Sequence, residues 1–240
     1  MSMTNIQLVQ KLASESGSSG NSAAVSTVIG QTGNSKRLVG WIKDTHTEIQ
    51  NKHQDWRWMR SSFTLNTVAS DDSYVYTDCT DTLTSLAISR FGHWLETDTD
   101  GTPVFKSYLT STGVGAQNFL TFLSWGEFRY LYKTGTQTNG QPVHFTIDPQ
   151  NNLLFGPKPD AIYTVIGDYQ RAALEFSLDA DTPEFPSRFH DIVWAMALEK
   201  YGMFHAAPEV MLRGQREGKR LLRQLERDQL PRTSRAGPLA

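Results

Sequence analysis

A chain of 240 residues with 38% hydrophobic and 11% aromatic content can bury one large core or two small ones. Its net charge of −2 gives no whole-chain pull toward nucleic acid or membrane, and no apolar run approaches the roughly 20 residues that a bilayer span needs. The single cysteine, Cys79, excludes a disulfide framework and a cysteine-based zinc site within one chain. The first residues, MSMTNIQLVQKLASESG, lack the basic-then-apolar order of a secretory signal, so synthesis in a reducing cytosol is expected.

Taken in order, Ile6, Leu8, Val9 and Leu12 predict a short amphipathic helix capped by Thr4 or Asn5. Residues 16–35 are uncharged and rich in Ser, Gly, Asn and Thr, which predicts a flexible connection or a loop that orders only against a partner. Its small apolar island, Ala23, Ala24, Val25, Val28 and Ile29, suffices to dock one strand or turn. From Asn34 to Arg60, Leu38, Trp41, Ile42, Thr45, Ile49 and Trp56 recur at three-, four- and seven-residue spacings. That is one stripe of a long helix, with Asn34 or Ser35 as cap. It runs into WRWMR (56–60), read first as core packing.

Alternation of Phe63, Leu65 and Thr67 predicts a strand, followed by β-favouring runs at 74–76, 83–88, 91–95 and 102–109 between polar turns. Phe119, Leu120, Leu123, Phe128 and Leu131 predict a helix over 116–132. Three further runs, 144–148, 153–156 and 163–171, read as a β-meander. Pro183 and Pro186 break the chain, and Phe189, Ile192, Val193, Met196, Ala197 and Tyr201 then form one helical face. A last helix runs from near Ala207 to about Asp228, with a sparse stripe of Val210, Met211, Leu221, Leu222 and Leu225. Its polar faces set Arg213, Arg216, Lys219, Arg220, Arg223 and Arg227 against Glu209, Glu217, Glu226 and Asp228. The fold class expected is α+β: a helical bundle from 1–60 and 184–228, a β-rich antiparallel insertion at 61–183, and a flexible tail at 229–240.

Chemistry-bearing patterns are few. There is no G-x-S-x-G, no helical pair of histidines at i and i+4, and no phosphate-binding glycine loop. The six histidines, His46, His53, His93, His144, His190 and His205, are scattered. Glu96-x-Asp98-x-Asp100-Gly101 imitates the start of a calcium loop, but Ser107 stands where the bidentate Glu is needed. By elimination no enzyme, cofactor or metal is expected. The charged last helix remains, readable as a solvated face, as a helix that docks on a larger partner, or as a DNA contact.

Three stretches carry a family resemblance: IGQTGNSKRLVGWIKDTHTEIQNKHQDWRWMR (29–60), TIDPQNNLLFGPKPDAIYTVIGDYQR (146–171) and FPSRFHDIVWAMALEKYG (185–202). The chain resembles, from about residue 3 to 228, the head-to-tail adaptor (connector) proteins of tailed bacteriophages. The resemblance implies a structural virion protein at the neck, assembled in the host cytoplasm. It implies a ring of this chain, usually twelve copies, bound under the portal protein. Such a ring extends the channel for packaged DNA and carries the tail or nozzle proteins, with no membrane involved. The C-terminal helix and tail of related connectors reach along the portal, so the expected docking residues are Arg213, Arg216, Arg220, Arg223, Arg227, Arg232 and Arg235.

Two other readings stand beside it. One is a nucleic-acid-binding protein using WRWMR and the basic C-terminal helix, with strongly salt-dependent affinity. The other is a metal-dependent enzyme with a site assembled from Asp71, Asp98, Asp100 and histidines.

Overall fold

The structure is a computed structural model describing residues 2–17 and 25–231. Its α-helices are α1 (Asn5–Glu15), α2 (Gly33–Asn51), α3 (Trp125–Tyr132), α4 (Asp191–Phe204) and α5 (Pro208–Gln229). Its strands are β1 (Arg60–Asn66), β2 (Ser73–Tyr74), β3 (Thr80–Asp81), β4 (Phe91–Leu95), β5 (Lys106–Leu109), β6 (Asn118–Phe119), β7 (Thr121–Phe122), β8 (His144–Ile147), β9 (Leu153–Gly156) and β10 (Tyr163–Arg171). The fold is α+β, with helices toward both ends of the chain. It divides into a helical unit, Met1–Trp58 with Ala173–Ala240, and a β unit, Met59–Ala172.

In the helical unit, α1 starts at a reciprocal cap. Thr4 accepts from the Gln7 N–H and the Gln7 side chain accepts from the Thr4 N–H, which satisfies two donors the first turn would otherwise leave unpaired. Leu8, Val9 and Leu12 are fully buried. The start of α1 is tied down by the Asn5 N–H to the Asp181 oxygen at 2.7 Å and the Ile6 N–H to the Asp179 oxygen at 3.3 Å. Helix α2 begins one residue before Asn34, with Thr32 at the cap position and no side-chain cap bond, and it ends at Asn51. Trp56 and Trp58 therefore lie past the helix and not on its stripe. Trp56 folds back: its indole N–H donates to the Ile49 oxygen at 3.1 Å, and its ring lies 4.2 Å from that of Trp58.

Helix α4 is buried on nearly every side, packing against α1, α2 and α5. The stretch 173–183, which the sequence assigns to the β-rich insertion, belongs with the helices. Gln50 brackets Leu174, donating to its oxygen at 3.0 Å and accepting from its nitrogen at 2.8 Å. Phe176 stacks on His46 at 3.8 Å. Periodicity could not show this, because the segment carries no regular element. Residues 18–24 of the expected connection lie outside the described residues.

The β unit contains two sheets. The first runs β3–β1–β10–β5–β6, with β4 also pairing β10, and the second runs β2–β9–β8–β7. Strand β10 is the axis of the first sheet. It pairs β1 over seven positions, from Arg60↔Gln170 to Asn66↔Thr164, and on its other side pairs β5 and then β4. A core of Phe63, Phe105, Phe145, Phe155, Val165 and Tyr169 draws on both sheets, with Phe105 stacked on Phe145 at 4.1 Å.

Two expectations are corrected here. The runs 144–148, 153–156 and 163–171 are not one meander, since β8 and β9 pair with each other while β10 belongs to the other sheet. Pro157 and Pro159 lie between β9 and β10, and having no N–H they cannot extend the β9 ladder. The predicted helix over 116–132 is a helix only from Trp125. Ser124 and Glu127 form a capping box there, and residues 118–119 and 121–122 are two short strands. Phe119, counted in the helical stripe, is exposed, whereas Leu120 is buried.

Candidate functional site

Helix α5 has a face that packs and a face that does not. Gly214, Gly218, Leu221, Leu222 and Leu225 are its buried residues, and the two glycines let it approach α4 closely. A Cβ on Gly214 would stand 2.6 Å from the Glu199 nitrogen and 2.9 Å from the Ala195 oxygen. This is why the apolar stripe looks sparse in sequence: its middle is filled by residues with no side chain.

The opposite face is basic. Arg216, Lys219, Arg220, Arg223 and Arg227 are all exposed, at spacings that place them on one side of a helix. From Arg216 to Arg227 they extend over about 16 Å at 1.5 Å per residue. Together with Gln224 they line a shallow open groove. Three of the four acidic residues of α5 are already paired, two of them off the helix. Glu226 lies 3.0 Å from His53 and 3.7 Å from Lys52 near the end of α2, and Asp228 pairs with Arg188. Glu217 pairs with Arg220, which holds its carboxyl below the usual range. The surface that results is far more positive than the whole chain, whose net charge is −2.

The expected docking residues separate into three groups. Arg216, Arg223 and Arg227 are exposed and have no ion pair among the described residues. Arg213 is held by Glu15 of α1 and Arg220 by Glu217, so part of their charge is already matched within the chain. Arg232 and Arg235 lie outside the described residues. Two members of this face were absent from the expected set. Lys219 sits three residues from Arg216 and four from Arg223, a register readable from sequence. Leu212 is 51% exposed next to the cations, and nothing in a composition count would flag it.

The residues considered for other chemistry do not converge. Asp98 is bound by Arg60 at 2.6 Å, which lowers its pKa, and Asp100 accepts from the Thr102 N–H at 2.9 Å, so the calcium-like stretch closes as a turn. Asp71 accepts from the Ser73 N–H at 3.2 Å. Among the described residues no group of three or more His, Cys, Asp or Glu could hold a metal ion. His144 meets the Tyr132 hydroxyl at 2.6 Å, and His46 is buried against Phe176. Burial pushes the Cys79 thiol up to about 12, so at neutral pH it is not a nucleophile. Trp56 is fully buried, so its ring is not available to stack a base. No described helix is long and apolar enough to cross a membrane.

A search of curated protein sequences finds no match. Residues 3–240 match the family described as SU10 adaptor protein, a description of an assembly part and not of a reaction. With nearly its whole length matched, the chain belongs to the SU10 adaptor protein family, a family of phage head-to-tail adaptors.

Proposed function

We propose that this adaptor joins head to tail as a ring of identical subunits, twelve in number as in related connectors. In this reading the ring sits beneath the portal, continues the channel for packaged DNA and offers its far side to tail or nozzle proteins. Each subunit docks on the portal through the outer face of α5, led by Arg216, Arg223 and Arg227, with Arg220, Arg213 and the tail residues Arg232 and Arg235 contributing. The observation that carries the docking is the row of exposed cations in which Arg216, Arg223 and Arg227 have no ion-pair partner among the described residues. Ion pairs exposed on both sides are individually worth about 0–1 kcal/mol. A row of them desolvated together against an acidic surface, added to its apolar contacts, is a different case.

The test is attachment to portal-bearing heads. The double variant R216E/R223E should keep the melting temperature of the parent, because neither side chain has an ion-pair partner to lose among the described residues, and should no longer attach. Truncation after Gln229 should leave a folded protein with weakened attachment. Normal attachment by both would remove the docking reading. A shift of duplex DNA that depends on Arg216 and Arg223 would favour the nucleic-acid reading in its place.

A further inference from the structure

We infer that the partner surface received by the outer face of α5 is an acidic amphipathic α-helix lying alongside it, an inference that rests on the docking reading. Leu212, Arg216, Lys219 and Arg223 follow one another at spacings of four, three and four residues. That alternation is the repeat by which one helix presents a single seam to another. Each step advances about 4.5–6 Å along the axis. Carboxylates at the same repeat on a facing helix would each find a cation. Packed helices lie about 8–10 Å apart, a gap that Arg and Lys side chains can bridge.

The apolar end of the seam selects between polyanions. Leu212 is exposed in line with the cations, beside a groove that Trp194, Glu209, Arg213 and Glu217 also line. An apolar side chain from a facing helix would cover it. A phosphodiester backbone has nothing to place on a leucine, and the Glu209 carboxylate beside it favours an apolar neighbour over a phosphate at this end of the seam. The occupant that fits is acidic along one stripe and apolar at one end.

The experiment uses the full-length protein and two peptides of identical composition, each three heptads long. One carries its glutamates at the three–four repeat with a terminal leucine in register, and the other spreads them around the helix. Binding is followed by fluorescence anisotropy, with a short duplex DNA as third probe. The patterned peptide should bind at least tenfold more tightly than its isomer, and R216E/R223E should abolish the difference. Equal affinity for the two peptides, absence of binding by both, or tighter Arg216- and Arg223-dependent binding of the duplex would each overturn the inference. Attachment to heads, measured in parallel, separates the two claims. Loss of attachment in R216E/R223E with no peptide preference leaves docking standing without the helix, and normal attachment removes docking itself.

Discussion

At the scale of single residues, glycines carry the packing of the last helix. Gly214 faces backbone atoms of α4 that cannot turn aside. Gly214→Ala gains about 1 kcal/mol of helix propensity but overpacks a tight contact, which typically costs about 1–3 kcal/mol. The expected outcome in a thermal melt is a lower midpoint. Gly40 on α2 is the opposite case, with no atom within 4 Å of an added Cβ. Gly40→Ala should raise the midpoint, by an amount corresponding to about 0.5–1 kcal/mol. A stabilised G214A would mean that α4 and α5 do not approach as described. This contrast was not legible beforehand, because a glycine in a pattern is a gap whether it lies under another helix or in water. The basic residues were legible, since charge and register are both written in the sequence. What sequence could not say is which of them already had a partner: Arg213 meets Glu15 across 198 positions of chain.

At the scale of elements, the join between α1 and α4 is a point where structure predicts behaviour in solution. His190, at the start of α4, is 2% exposed. Its Nδ1 accepts from the Met3 N–H at 3.0 Å and its Nε2 donates to the Phe185 oxygen at 3.1 Å. Both ring nitrogens are used by the neutral form, and burial holds the pKa below the ordinary histidine value. The unfolded chain therefore takes up this proton first as pH falls. Below about 6.5 the helical unit should lose stability by at most about 1.4 kcal/mol per pH unit from this group, until the folded form also protonates. The carboxyl of Asp191, held down by Lys11 and Trp194, titrates in a more acid window and does not share this one. Melting curves between pH 7.5 and 5.5 should thus fall more steeply for the parent than for His190→Gln. Parallel curves would show that the histidine does not bury a neutral ring. The long helices were readable from their stripes, but only α1 starts at a cap the sequence offered, Thr4, whereas α2 starts ahead of Asn34 and Ser35. The region 116–132 was not readable, because Phe119, Leu120 and Leu123 happen to match a helical repeat, while Phe119 pairs in a sheet and the N–H groups of Leu120 and Leu123 donate to the Phe105 and Phe145 oxygens. The S-x-x-E cap at Ser124 was the better signal, since it marks a start and not merely a face. The second miss, the path from β9 to β10, came from reading three adjacent strands as neighbours when prolines had ended the ladder.

At the scale of the whole molecule, the proposed assembly predicts a concentration of subunits that only the partner creates. Sedimentation of the purified protein should show a monomer alone and a ring-sized species once portal is added. A stable ring without portal would place subunit contacts ahead of docking. The closing of such a ring needs one face of each subunit to meet a different face of the next, so a single surface substitution acts on every joint at once. The α+β class was legible from the change of period near residue 60 and again after Pro183. Where the two units divide was less so, because 173–183 packs through Gln50, His46 and the start of α1 and not through any repeat.

The helical unit is written in two pieces with the β unit between them, and this has a consequence for synthesis. The first two helices leave the ribosome before the helix that covers them exists. At bacterial elongation rates, roughly 5–20 residues per second, the intervening stretch takes on the order of ten seconds to make. During that time Leu8, Leu12, Ile42 and Ile49 have no α4 to bury them. The β unit is continuous in sequence, and its outer strand ends, Arg60 and Gln170, are register partners, so it can close while the rest waits. Each nascent subunit therefore spends its early life as a finished sheet domain trailing an unfinished apolar arm. The order of the gene, and not only the final contacts, decides when that arm is safe from its neighbours on the same polysome.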